Sequence, residues 1–243
     1  MWRQGFCIQA AGVLDAAEAI MLAEAGATHV GIPLGLDFHA EDVTLAQARE
    51  ITRALGAWNR SAARPVAVVL ITYLTGTEGI LALARAVGAD VVQSHGAATA
   101  EALAAVRRAA PELGIIKSLV VGRGAGGEAG DEAGLAAAVQ AFAPVADAFL
   151  TDTFDPATGA SGATGLTHDW AVSRRLVGLS PRPVILAGGL TPDNVGAAVA
   201  AVGPAGVDAH TGLEDAAGRK DPEKVRRFVR EAKRAVASLS GTV

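Results

Sequence analysis

Short apolar runs rich in Val, Ile and Leu alternate with alanine-rich stretches of helical spacing from one end of the chain to the other. Continuous apolar runs bounded by Gly, Pro, Asp or Asn read as strands buried on both faces, the mark of a parallel sheet. They fall at Phe6–Ala10, His29–Leu34, Pro65–Thr72, Val91–His95, Ile115–Val120, Ala148–Asp152, Pro183–Ala187 and Gly206–His210. Between them the spacing predicts helices over Leu14–Ala25, Leu45–Trp58, Gly76–Val87, Ala98–Ala109, Asp131–Phe142, Asp169–Val177 and Thr191–Val202. An amphipathic helix over Asp221–Ala237 closes the series. Two helix starts carry explicit signals: Thr191 as N-cap before Pro192, and Asp221 as N-cap before Pro222. Eight strand–helix alternations in 243 residues predict the α/β class, as a single (β/α)8 (TIM) barrel spanning residues 1–243 without a domain boundary. A doubly wound open sheet made of the same units is the alternative.

Composition narrows the picture. Hydrophobic residues make up 51% but aromatics only 4%, so the excess is small and β-branched side chains suited to close strand–helix packing. Net charge is −4 and no basic block occurs, which gives no electrostatic case for a nucleic-acid partner. A single cysteine excludes an internal disulfide and fits a reducing compartment. The start, Met1–Phe6, lacks the apolar core of a signal peptide, and Gly or a charge interrupts every apolar run before it could span a bilayer. The expectation is a soluble cytoplasmic protein, monomer or homodimer, with no membrane partner.

Two glycine turns draw the eye toward chemistry. Ile185–Leu190 contains Gly188-Gly189, and Val207–Leu213 contains Thr211-Gly212. Each follows a buried strand, and the first leads straight into a helix start. Glycine lets backbone N–H groups approach an anion closely, and a helix N-terminus adds partial positive charge. Such turns after the last two strands of a β/α barrel commonly hold a phosphate, although glycine there also makes a plain tight turn. Polar residues at the strand ends supply the rest: Gln9 on the first strand, Asp37 and His39 beyond the second, Thr72 and Tyr73 on the third. Gln93 and His95 follow on the fourth, Lys117 on the fifth, Asp152 on the sixth, and Asp208 and His210 on the eighth. Asp152 ends an otherwise apolar strand, so partial desolvation would raise its pKa toward general-acid work. Lys117 is expected to point into the barrel mouth, there to bind an anion or pair with Asp152. His95 could donate or transfer a proton and shares a strand face with Gln93. Two longer connections, Gly122–Gly130 and Thr153–Thr167, are expected at the same face and could cover it.

The histidines and the cysteine show no metal-ligand spacing, and Gly122–Gly127 lacks the strand-to-helix setting of a dinucleotide fingerprint. No cofactor is expected.

Five segments together resemble the phosphoribosylanthranilate isomerase family over essentially the whole chain. They are Asp90–Gly96, Gly162–Trp170, Leu186–Asn194, Gly206–Glu214 and Gly218–Phe228. The resemblance implies a cofactor-free Amadori rearrangement of a phosphorylated amino sugar in tryptophan biosynthesis. An acid protonates the ring oxygen, and a base removes the C2 proton of the resulting imine. It assigns the acid to Asp152 and phosphate binding to Gly188, Gly189, Thr211 and Gly212; apart from the resemblance, Lys117, Gln93 and Glu41 are expected as further substrate contacts. Two positions depart from the family pattern. The family's first strand reads Lys-Ile-Cys-Gly with the cysteine as base, whereas the aligned residues here are Cys7-Ile8-Gln9-Ala10, so Gln9 takes the base position. Cys7 shares its face but lies two residues deeper, roughly 6–7 Å away. The family's carboxylate-binding arginine after the second strand is replaced by the acidic run Asp37–Asp42. A divergent member with an altered aglycone pocket is the expectation, with Glu41, Asp42, His39 or His95 as candidate bases. Two other classes compete: a phosphate-binding barrel lyase or epimerase using Lys117 as a Schiff-base former, and a non-catalytic phosphosugar-binding paralogue.

Overall fold

The computed structural model describes residues 5–36, 41–121, 132–155, 160–161 and 169–240. The strands are β1 (Cys7–Ala11), β2 (His29–Pro33), β3 (Ala67–Thr72), β4 (Val91–Ser94), β5 (Gly114–Val121), β6 (Ala148–Asp155), β7 (Ala160–Ser161), β8 (Val184–Leu186) and β9 (Gly206–Ala209). The helices are α1 (Ala16–Ala25), α2 (Leu45–Asn59), α3 (Thr77–Val87), α4 (Ala100–Ala109), α5 (Glu132–Phe142), α6 (Trp170–Leu179), α7 (Val195–Val202) and α8 (Pro222–Ser240). The sheet runs β5-β4-β3-β2-β1-β9-β8-β6, every neighbouring pair parallel, and β5 also pairs with β6. That last pairing closes a (β/α)8 barrel, which excludes the open doubly wound sheet. Among the described strands, β7 alone lies outside the ring, antiparallel to the end of β6.

Closure follows from the sequence in a simple way. Each strand is apolar on both faces, so neither face can meet water, and a ring of helices covers the outer one. Strand alternation then sorts side chains into two cores. Cys7, Ala11, Val69, Val91, Ile116, Leu150 and Ile185 fill the barrel interior. Ile8, Val30, Val68, Val92, Ile115 and Val207 face the helices. Small residues let neighbours approach: a Cβ on Gly206 would sit 2.4 Å from the Cys7 Cβ in the facing strand.

Two helix starts differ in an instructive way. Asp221 caps α8, accepting from Glu223 and Lys224 N–H at 2.8 and 3.0 Å. The helix expected from Thr191 begins only at Val195, behind a turn over Thr191–Asn194. There Asn194 bonds the Thr191 N–H through its side-chain oxygen and the Gly189 carbonyl through its amide. These side-chain bonds hold the turn and tie it back to the glycine pair before it, which delays regular helix. Among the described residues, no helix is long and apolar enough to cross a membrane.

Candidate active site

Counting by twos along the strands explains which side chains reach the barrel mouth. On β1 the inward series is Cys7, Gln9, Ala11; on β4 it is Val91, Gln93, His95; on β6 Ala148, Leu150, Asp152; on β9 Gly206, Asp208. Register places Gln9 directly beside Asp208 on the neighbouring strand. The apolar members form the floor, and the polar members one level higher line a cleft at the carboxyl ends of the strands.

Asp152, Gly188, Gly189, Asp208, Thr211 and Gly212 frame that cleft together. The two glycine turns are in contact, because a Cβ on Gly212 would lie 2.0 Å from the Leu190 carbonyl oxygen. Gly188 and Gly189 have φ of 93° and 61°, the left-handed region that glycine occupies without strain. Thr211 and Gly212 open a 3-10 turn, Thr211–Leu213, whose first amides have no partner within the turn. The juxtaposition expected from sequence is therefore present: two amide-bearing turns beside the Asp152 carboxyl.

A chain of side chains crosses the mouth. The Gln9 amide donates to Gln93 Oε1 at 2.7 Å, and the Gln93 amide lies 2.6 Å from His95 Nε2. An amide nitrogen carries only donors, so His95 Nε2 accepts and the ring proton sits on Nδ1. Nδ1 faces Asp152 Oδ2 at 3.8 Å, beyond hydrogen-bond reach, and has no partner of its own. Burial, followed by the Lys117 charge, pushes the His95 pKa down to about 3, so the ring is neutral. Tyr73 flanks it, ring centroids 5.5 Å apart. Asp152 is 6% exposed, and burial raises its pKa to about 7 against one stabilising bond from the Thr153 N–H. Asp208 is raised to about 7 as well, by burial and by the Asp152 charge, while a hydrogen bond from Gln9 and the Lys220 charge act in the other direction.

Three expectations need correction or closer definition. Lys117 does not enter the cleft. Its neighbour Ile116 takes the inward position of β5, so Lys117 falls on the helix side. There its ammonium donates to the Gly96 and Ser94 carbonyls at 2.8 and 3.3 Å and lies 5.3 Å above the Phe142 ring. Desolvation lowers its pKa to about 8. Glu41 accepts from the Gly35 N–H at 2.8 Å and so braces its own loop. Cys7 is 2% exposed on the barrel floor with Sγ 3.3 Å from His29 Nδ1, and burial together with the Asp208 charge raises its pKa, which keeps it a thiol. Asp37 and His39 lie outside the described residues, as do Gly122–Gly130 and most of Thr153–Thr167. Asp208 was visible at a strand end, yet nothing in the sequence separated it from His210, which has the same strand parity. His210 instead meets Glu214 at 3.2 Å, and Glu214 also binds Lys220 at 2.6 Å. Among the described residues, no group of three His, Cys, Asp or Glu side chains is placed to hold a metal ion.

Comparison with known proteins agrees with this geometry. The family model described as N-(5'phosphoribosyl)anthranilate (PRA) isomerase matches residues 13–231. The chain is 38% identical over 228 residues to N-(5'-phosphoribosyl)anthranilate isomerase 2 of Methanosarcina mazei, covering 93% of each chain. It is 39% identical over 229 residues to the N-(5'-phosphoribosyl)anthranilate isomerase of Haloferax volcanii, covering 94% of this chain and 93% of the relative. The N-(5'-phosphoribosyl)anthranilate isomerase structure from Pyrococcus furiosus superposes with a TM-score of 0.74 at 25% identity, covering 94% of this chain and 99% of that one.

Proposed function

The chain belongs to the N-(5'-phosphoribosyl)anthranilate isomerase family, and from that premise we propose that Asp152 is the general acid that opens the ring of a phosphorylated amino sugar held by the two glycine turns. The observation that carries the assignment is the shared cleft: one buried carboxyl and two amide-bearing turns, all at the carboxyl ends of β6, β8 and β9. A pKa near 7 keeps a large share of Asp152 protonated at neutral pH, the state a proton donor to the ring oxygen requires. Protonation of that oxygen weakens its bond to C1; the nitrogen lone pair completes the cleavage and leaves an imine. The Gly188-Gly189 and Thr211-Gly212 amides supply donors to the phosphate, which anchors the sugar against Asp152.

His95, neutral and donating from Nδ1, is suited to hydrogen-bond a substrate oxygen beside Asp152 rather than to accept a proton. The loop from Gly35 to Val43 contains Asp37, His39, Glu41 and Asp42 and neither Arg nor Lys, so an aglycone carboxylate would find no cation there. This supports an aglycone site built on other contacts. It makes phosphoribosylanthranilate itself the informative substrate.

The test is steady-state turnover of phosphoribosylanthranilate by the purified protein. The expected kcat/KM lies in the ordinary enzyme range, about 10^4–10^8 M−1 s−1. Asp152→Asn is expected to lower kcat by about 10^2–10^4-fold. Absence of turnover, together with failure to rescue a tryptophan auxotroph lacking the isomerase, would overturn the reading.

A further inference from the structure

The rearrangement needs a base as well as an acid, and several candidates among the described residues can be set aside. Gln9 holds the first-strand position, but an amide takes up no proton near neutral pH. Cys7 sits on the barrel floor as a thiol, below the cleft and against His29. His95 already has Nε2 occupied by the Gln93 amide and its proton on Nδ1. The Glu41 carboxylate is bound to the Gly35 N–H. Asp208 differs from all of these. It is 8% exposed, lines the cleft with Asp152 and both glycine turns, and its Oδ1 is buried without a hydrogen-bond partner.

We propose that Asp208 is the general base of this enzyme, taking the C2 proton of the ring-opened imine, and that Gln9 is a positioning residue holding the Asp208 carboxylate. The assignment rests on the isomerase reading above. The step balances without any added reagent. The C2–H bond breaks and its proton goes to an Asp208 oxygen; the C–H electron pair becomes the C1–C2 double bond. The carbon–nitrogen π pair moves onto nitrogen. Loss of the C2 hydroxyl proton and reprotonation at C1 then yield the ketone.

The surroundings decide which carboxyl holds the proton. Two carboxyls in one buried cleft resist ionising together, so near neutrality they share one proton. Among the described residues Asp152 receives one N–H, from Thr153, and it faces a neutral imidazole. Asp208 receives the Gln9 amide and lies in the field of the buried Lys220 ammonium, with only the neutral Cys7 thiol beneath it. The anion is therefore better accommodated at Asp208 and the proton at Asp152, which is the division of labour the reaction needs. Gln9 pairs with Asp208 in the β1–β9 register and donates to Gln93 through its amide, and a hydrogen bond from Gln9 is among the influences that lower the Asp208 pKa.

The experiment compares wild type, Asp208→Asn and Gln9→Leu in turnover of phosphoribosylanthranilate between pH 5 and 9. Asp208→Asn is expected to lose about 10^2–10^4-fold in kcat with KM within about threefold, and to melt no lower than wild type at pH 8. Gln9→Leu removes the N–H that stabilises the anion, so the acid limb of its kcat profile should move to higher pH. A merely structural Gln9 would lower kcat equally at every pH. If Asp208→Asn melts lower, Asp208→Glu takes its place: a carboxyl displaced by one methylene should keep the acid limb at reduced kcat. An Asp208→Asn kcat within threefold of wild type, or a loss confined to KM, overturns the base assignment; an unshifted acid limb in Gln9→Leu overturns the positioning role. An inactive wild type overturns the isomerase reading and this assignment with it, whereas an active wild type beside an active Asp208→Asn overturns this assignment alone.

Discussion

At Asp152 the cost of sealing a carboxyl from water is visible as a raised pKa, and that cost falls on stability. Its folded-state pKa of about 7 stands above the ordinary value of 3.8, because burial disfavours the charge. A raised carboxyl binds its proton more tightly in the folded state. The stability this contributes is fully present below about pH 3.8 and is lost as pH rises through about 7. Asp152→Asn keeps an oxygen for the Thr153 N–H and has no charge to bury. It should therefore melt higher than wild type at pH 8, by a margin that is clearly smaller at pH 5 and closes only below about pH 3.8. A shift of this size corresponds to a few kcal/mol at most, at about 1.4 kcal/mol per pKa unit. Thermal melts at the two pH values check this, and an equal gap at both would contradict it. Lys117 gives the converse residue-scale expectation. Since its ammonium is spent on the Ser94 and Gly96 carbonyls, Lys117→Met should leave KM for the phosphosugar within about threefold, measured in the same turnover assay. A tenfold rise would place the lysine in the site after all.

Elements carry the phosphate grip. The turn after β8 and the turn after β9 touch through Gly212, where a methyl group would overlap the Leu190 carbonyl. Gly212→Ala must push the turns apart. Because the clash is with backbone, which cannot swing aside as a flexible side chain does, the site should open. KM is expected to rise tenfold or more, with a smaller change in kcat, as befits loss of a binding contact shared by ground state and transition state. Thermal stability should fall in parallel. Pattern reading located the barrel strands and the helices among the described residues to within a few residues, because each strand is a bounded apolar run and each helix a stretch of helical spacing. It missed β7, whose two residues carry no periodicity, and it began α7 at Thr191. The cap signal Thr-Pro was genuine, since the Thr191 hydroxyl does accept from the Asp193 N–H. What no local rule could weigh was the pull of Asn194 on the Gly189 carbonyl, a bond between the turn and the glycine pair.

For the molecule as a whole, barrel closure makes one site out of pieces far apart in the chain. Gln9 and Asp208 belong to opposite ends of the sequence and become neighbours only because β1 pairs with β9. The side-chain chain Gln9–Gln93–His95 then spans the mouth between the first and fourth barrel strands. A ligand that binds this assembled cleft and not the unfolded chain must stabilise the fold by mass action. A phosphorylated product or stable analogue at about 100 times its Kd should add about 2.7 kcal/mol, or roughly 5–10 °C in melting temperature for a chain of this size. Differential scanning fluorimetry checks this, and a non-catalytic scaffold without a phosphosugar site would show no shift.

Reading residues in order was sufficient for the strand-and-helix alternation, the glycine turns and the isolated carboxylate ending the sixth run. Each of these is a local property, carried by hydrophobic periodicity or by the backbone freedom of glycine. The direction of Lys117 and the partnership of Asp208 were beyond it. The side of a strand a residue occupies flips with a register change of one, so a lysine at a strand end is as ready to meet a helix as a substrate. Which polar ends face one another is fixed only when the sheet closes on itself, for the distances between them belong to the ring and to no single segment of chain.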